Sequence, residues 1–345
     1  MSVGAHRWTL RLAVMMILSC AGLTAALATG ATAAFPGQNG VIAYFWPDPD
    51  SDLAYLAFVS PDGAVASPWV ARWKDTDIGE PAFSPDGLRV AVSFEGRRDN
   101  AIAVATAPSM RVHAITHPRG DDLDRTPSWS PDGRSILFER ADGHQTDLLY
   151  TVRAGGSHSR RLVRGESASW STLRQIAFTR YRHDGRWASI YTSDETGHQL
   201  RRLTHGRYDY AGDWSPDGHQ LAFERNGEIY TMAADGGTLR RVTSCRRPCG
   251  DPVFSPDGTQ IAFITGRNLM IIPAGGGPSR AFRCEEPGCY GPDWLPAATT
   301  AGATLPRSGG SASTTAIVGA ALLGIGLATR GLRLTSLGGA TRSSR

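Results

Sequence analysis

The side chains with the clearest chemical potential are four cysteines and a recurring set of aspartates. Cys245/Cys249 and Cys284/Cys289 are local pairs with C-x3-C and C-x4-C spacing. Thiols so spaced either close two local disulfides or pool four sulfurs around a tetrahedral zinc ion. An export signal, described below, favours the disulfides. The aspartates keep fixed distances from aromatic residues. Asp124 and Asp209 stand five positions before a tryptophan, Asp77 six before Phe83, and Asp251 three before Phe254; Asp213 and Asp293 directly precede Trp214 and Trp294. Converging carboxylates would suit a hard cation such as Ca²⁺, which takes oxygen ligands. The competing and favoured expectation is that each aspartate bonds loop N–H groups, as Asp does in turns. Beyond that calcium alternative, no cofactor is expected.

Nucleophile and zinc motifs are missing. Gly165-Glu166-Ser167-Ala168-Ser169 fails the G-x-S-x-G elbow at its last position. No H-x3-H or H-E-x-x-H pair occurs, and His113, His117, His144, His158, His198 and His205 fall in expected turns and loops. No residue is therefore assigned a catalytic role. A formal charge of +4 over 345 residues excludes nothing structural but gives no footprint for nucleic acid. Arginine pairs at 160/161, 201/202 and 240/241 recur with the repeat. They are read as protection of exposed strand edges, with a basic surface for acidic envelope polymers as the alternative.

These residues are positioned by a repeat. Trp214-Ser215-Pro216-Asp217-Gly218-His219-Gln220-Leu221-Ala222-Phe223 has near-copies at 83–92, 129–138 and 254–263, and a worn copy at 170–178. Each reads as aromatic anchor, tight turn and short apolar strand, because Pro presets φ, Asp bonds the backbone ahead and Gly takes positive φ. The anchors Phe83, Trp129, Trp170, Trp214, Phe254 and Trp294 are spaced by 46, 41, 44, 40 and 40 residues. A period in the forties with several strands per unit predicts propeller blades. A second apolar strand, a Gly-rich turn and a third strand follow each anchor strand, with no long helical period between residues 35 and 297. Gly291–Pro296 begins a seventh anchor and stops, which fits a final strand that closes the ring against the first blade.

The W/F-S-P-D-G-x-x-[IL]-A-F repeat resembles the TolB-type six-bladed β-propeller, a relative of the WD-repeat family, over roughly residues 35–297. The resemblance implies an all-β fold of six four-stranded antiparallel blades. The sequence departs from TolB in having no α/β domain between the signal and the first blade, and no hydrolase domain follows the repeats.

The ends read differently. Residues 1–34 resemble an export signal: His6, Arg7 and Arg11 precede the apolar run Leu12–Leu18 and a small-residue stretch ending at Ala33. Ile17-Leu18-Ser19-Cys20 loosely resembles a lipobox, so lipoprotein processing is a second reading. Residues 298–312 are an Ala/Thr/Ser/Gly linker. The 21 uncharged residues Gly309–Thr329 are long enough for one bilayer crossing, placed at 313–331, with a basic tail at 332–345. Arginines after the span put the tail in the cytoplasm and the propeller outside. Leu305-Pro306-Arg307-Ser308-Gly309 before that span resembles a sortase signal of the L-P-x-T-G class. A plain single-pass anchor and wall linkage both remain open.

The expected function is a non-catalytic, surface-displayed binding module, a monomer whose propeller holds an envelope protein, peptide or glycan. An extracellular lactonase- or lyase-like enzyme with a metal in the channel is the alternative, and a structural spacer the third.

Overall fold

The computed structural model describes residues 36–296, apart from 48–53, 62–64, 70–76, 80, 96–99, 107–110, 142–146, 183–186 and 285–287. The export signal, linker, Leu305–Gly309 motif, apolar span and basic tail lie outside the described residues. Among the described residues no helix is long and apolar enough to cross a membrane.

Six antiparallel sheets stand around a central axis. Blade one carries β1 (Asn39–Pro47), β2 (Ala54–Val59) and β3 (Val65–Trp69). The inner edge of blade two is broken into β4 (Asp77–Ile78) and β5 (Ala82–Phe83), both paired with β6 (Arg89–Glu95), then β7 (Asn100–Thr106) and β8 (Arg111–Ala114). Blade three comprises β9 (Leu123–Trp129), β10 (Ser135–Ala141), β11 (Asp147–Arg153) and β12 (Arg160–Arg164). In blade four these become β13 (Glu166–Trp170), β14 (Gln175–Tyr181), β15 (Ala188–Asp194) and β16 (Arg201–Arg202). Blade five has β17 (Asp209–Trp214), β18 (Gln220–Arg225), β19 (Glu228–Ala233) and β20 (Arg240–Arg241). Blade six has β21 (Cys249–Phe254), β22 (Gln260–Thr265), β23 (Asn268–Pro273) and β24 (Arg280–Arg283). The last strand, β25 (Tyr290–Pro296), pairs antiparallel with β1 and is the innermost strand of blade one. The seventh anchor thus closes the ring, and no blade face is left bare.

Each blade is buried on both faces, so its central strands are continuously apolar. The period of two sorts the side chains between neighbours. Ile136 and Phe138 pack toward blade two with Ile102 and Val104, whereas Leu137 between them packs toward blade four with Trp170 and Phe178. The anchors Phe83, Trp129, Trp170, Trp214, Phe254 and Trp294 are all buried, Trp214 to 1% exposure. The indole N–H groups of Trp129 and Trp214 donate to carbonyls of the preceding blade, Ala82 O at 2.8 Å and Ser169 O at 3.3 Å.

The Ser-Pro-Asp-Gly turns are internally wired. Asp217 Oδ1 accepts from Ser215 Oγ at 2.5 Å and from the His219 N–H at 3.0 Å, while Gly218 holds φ 73°. The hydroxyl of Ser215 and the His219 amide together hold the Asp217 carboxyl below its ordinary range. Asp86, Asp132 and Asp257 repeat the serine contact. The worn turn of blade four is one residue shorter: Ser171 N–H reaches Gln175 O, against Ser215 to Gln220 O in blade five. Arg174 there takes the left-handed place of the missing glycine, at φ 61°.

The arginine pairs do a job that edge shielding does not describe. The first arginine straps its blade to the next. Arg160 donates to Glu195 O at 3.5 Å, Arg201 to Asp235 O at 2.8 Å, and Arg240 to Gly275 O. Arg280 continues the series across the ring closure, donating to Pro61 O at 3.0 Å. Second arginines stay within their blade, Arg202 on Ser189 Oγ at 3.0 Å and Arg241 on Glu228 Oε1 at 2.7 Å.

Candidate functional site in the central channel

The six inner strands face a common channel, with a cavity of about 420 Å³. Directly before the anchors stand Ala82, Ser128, Ser169, Asp213, Val253 and Asp293, and all six line it. Asp213 Oδ1 accepts the Trp214 N–H at 2.9 Å and Oδ2 the Phe254 N–H of the next blade at 3.1 Å. Asp293 likewise bonds the Trp294 amide and, through Oδ2, the Phe83 N–H at 2.7 Å. Each carboxylate therefore spans two anchors and joins two blades. Burial pushes the carboxyl of Asp213 up to about 7, with the Asp293 charge adding to it, and that of Asp293 up to about 6.

Inner strands β9, β13, β17 and β21 all bulge just before their anchors, and three of these bulges carry a left-handed non-glycine residue. Register shifts occur between Leu137 and Glu139 opposite β9, between Glu166 and Ser169 in β13, and between Gly250 and Val253 in β21. At these bulges Thr126, Ser167 and Asp251 take positive φ of 49°, 48° and 51°, and all three line the cavity. Bulges re-aim side chains, and left-handed non-glycine residues concentrate where a site needs them. Asp251 and Glu224 are both raised, Asp251 by burial and Glu224 by burial and then by the Asp251 charge.

Among the described residues the lining holds the carboxyls of Asp213, Glu224, Asp251 and Asp293 and no Lys, Arg or His. On the blade-four wall, Ser169 Oγ and Trp170 Nε1 are buried without a hydrogen-bond partner. Where the carboxyls are ionised, they give the lining a negative charge.

The remaining expected aspartates go elsewhere. Asp124 and Asp209 are wholly buried and grip Arg140 and Arg225 through two hydrogen bonds each, at 2.5 and 2.7 Å and at 2.6 and 2.9 Å. They are structural ion pairs outside the channel lining. The side chain of Asp77 lies outside the described residues. A further group, Glu139, Asp147 and Glu166, brings carboxylate oxygens within 4.8 Å of one another at the start of β13. Arg125 already supplies its positive charge, lying 2.5 Å from Glu139 and 3.2 Å from Asp147. Burial and then the Glu139 charge raise Glu166 to about 7, beside the Tyr181 hydroxyl, so this carboxyl exchanges a proton near neutrality. Glu139, Asp147 and Glu166 are the group of carboxylates among the described residues close enough to share a metal ion, and Asp213 and Asp293 already accept backbone amides. The zinc alternative for the cysteines falls away: Cys245–Cys249 and Cys284–Cys289 are disulfides, which fits an oxidising compartment.

Sequence reading found the anchors and allowed the aspartates at 77, 124, 209, 213, 251 and 293 to converge, while favouring loop bonds for each; Asp213, Asp251 and Asp293 line the cavity and Asp124 and Asp209 do not. Glu224 escaped that reading because the residue belongs to a second strand, and Thr126 and Ser167 because a bulge leaves no mark in side-chain type. The signal that could have found them is the three-residue offset they share with Asp251 before an anchor.

Six four-stranded blades and the pairing of β25 with β1 define a closed six-bladed propeller. Residues 42–225, just over half of the chain, match the family described as TolB beta propeller domain, and the chain belongs to that family. A stretch of 115 residues, 32% of this chain, is 32% identical to a TolB homolog of Chlorobium chlorochromatii, of which it covers 25%. The chain therefore spans about a quarter of that relative. Among solved structures, TolB from Acinetobacter baumannii superposes with a TM-score of 0.63 at 24% identity, over 74% of this chain and 67% of that one. A putative TolB from Agrobacterium tumefaciens gives 0.54 at 19% identity, over 70% and 88%. At these identities the structural likeness speaks for the fold.

Proposed function

We propose that the chain is a non-catalytic binding module of the cell envelope whose channel receives a positively charged group of a protein or peptide partner. The observation that carries this reading is the lining itself: four carboxyls and, among the described residues, no basic side chain around a cavity of about 420 Å³. A lysine or arginine side chain, or a peptide's free N-terminus, supplies the matching charge. The TolB relatives support an envelope binding role, and the two disulfides support export. Display outside the membrane, by the 313–331 span or by wall linkage at Leu305–Gly309, is part of the same reading.

The test is a titration of the protein with a lysine-rich peptide, its fully acetylated form and a glutamate-rich peptide of equal length. Saturable binding of the first alone supports the reading, provided it is lost in Asp213→Asn/Asp293→Asn. Equal binding of the acetylated form overturns it. Fractionation tests the display: intact Gly309–Arg345 in the membrane fraction rejects wall linkage, and a freely secreted chain keeping that segment rejects both forms of attachment.

A further inference from the structure

A second cleft, of opposite sign, lies on the ring's flank between blades five and six. It has a volume of about 790 Å³ and is lined, among the described residues, by Arg241, Arg246 and Arg247 with no Asp or Glu. Arg241 is neutralised by Glu228 at 2.7 Å. Arg246 and Arg247 are exposed, and their guanidiniums have no partner among the described residues. They differ in this from Arg125, Arg140 and Arg225, which are all paired to carboxylates.

The two free arginines are held on an unusually short tether. They occupy Cys245-Arg246-Arg247-Pro248-Cys249, closed by the Cys245–Cys249 disulfide. Proline fixes one φ in this loop. The backbone is fastened on both sides of the pair: the Cys245 N–H donates to the Glu228 carboxylate at 3.0 Å and the Cys249 N–H to Gly227 O at 2.9 Å. Between them, Arg247 O accepts from Thr265 Oγ1 of blade six at 3.2 Å. Little backbone entropy is left to lose when these guanidiniums engage a ligand.

We infer that this cleft is an oxyanion-binding site, in which Arg246 and Arg247 fork onto a phosphate or carboxylate carried by an acidic ligand. A guanidinium meets either anion with two parallel N–H donors, which a point charge does not. Ser244 and Asn268 at the rim add neutral donors, and Met270 beside them gives an apolar surface for the ligand's carbon skeleton. The site is independent of the channel: the two take ligands of opposite charge, and neither requires the other.

The experiment is calorimetric titration of the protein with tripolyphosphate and, separately, with trigalacturonate, at about 0.05 M and about 0.15 M salt. The first probe supplies phosphate, the second carboxylate, so their ratio identifies which oxyanion the cleft prefers. Saturable binding to either is expected, weakening with salt. Arg246→Gln/Arg247→Gln should weaken it by about tenfold or more, the loss of roughly 1.4 kcal/mol. Arg246→Lys/Arg247→Lys should recover only part, because charge returns without the fork. Both variants lie on the surface, and an unchanged melting temperature confirms that they fold. Failure of both probes to bind, or equal affinity in the glutamine variant, overturns the inference. Channel variants Asp213→Asn/Asp293→Asn should leave oxyanion binding unchanged, and its loss there would also overturn the assignment to this cleft.

Discussion

Asp293 and Phe83 are 210 positions apart, yet Asp293 Oδ2 accepts the Phe83 N–H at 2.7 Å. The contact joins blade one to blade two beside the strand that closes the ring. Asp213 makes the same contact with Phe254, joining blades five and six. Replacing Asp293 with alanine strands two buried amides, those of Phe83 and Trp294, and should cost about 1–3 kcal/mol, the usual penalty for unpaired buried groups. Asp293→Asn keeps an acceptor oxygen and should cost less. Denaturant unfolding of the two variants measures the difference.

Trp214 is the most deeply buried anchor and packs between blades four and five with Ile190, Leu203 and Phe223. Trp214→Ala should cost about 3–5 kcal/mol, as truncation of a large core aromatic does. His219, on the exposed turn of the same blade, should be replaceable by alanine within about 0.5 kcal/mol. Comparable losses at the two positions would contradict the repeat as the source of the core.

The pair Asp209–Arg225 is buried on the carboxylate side and closed by contacts of 2.6 and 2.9 Å. Removing Asp209 alone leaves a largely buried guanidinium unpaired and should cost about 3–5 kcal/mol. Replacing both residues by apolar ones of similar size should cost clearly less. A double-mutant cycle decides this, and additive losses would show that the pair is not coupled.

Stability should also carry a distinct pH signature. The folded-state carboxyls of Asp213, Glu166 and Asp293 lie at about 7, about 7 and about 6, above the ~4 of an unfolded carboxyl. Between these limits the folded chain holds protons that the unfolded chain has lost, so stability falls as pH rises. The contribution is complete below about 4 and gone above about 7. Asp213→Asn/Asp293→Asn should flatten the slope in that window. Melting temperatures recorded across it check the claim, and an unchanged slope in the double variant would refute it.

What the sequence revealed followed from how local each interaction is. The Ser215–Asp217–His219 turn is wired within five residues, so residue types alone announced it. The apolar triplets such as Ile136-Leu137-Phe138 announced short strands, and the structure buries them on both faces. Ring closure was legible because Trp294 repeats an anchor that has no blade after it. The Arg201 strap to Asp235 O, and the Asp213 clasp on Phe254, cross from one blade to the next. Their partners are backbone groups, which carry no signature in residue type, so the arginine pairs suggested edge shielding and the aspartates suggested loop bonds. The channel's sign was likewise hidden, since it depends on which of several similar aspartates point inward: Asp213 and Asp293 do, while Asp124 and Asp209 turn away to Arg140 and Arg225.

The proton balance of binding reads directly whether a cation seats against Asp213 and Asp293, as proposed. At about pH 6.5 both carboxyls are partly protonated, and a cation between them favours their ionised forms. Calorimetric titration with a lysine-rich peptide, in two buffers of different ionisation enthalpy, counts the protons exchanged. The expected result is proton release on binding, affinity that rises with pH through this range, and loss of both effects in Asp213→Asn/Asp293→Asn. Binding without proton release, or unaltered release in the double variant, would contradict it.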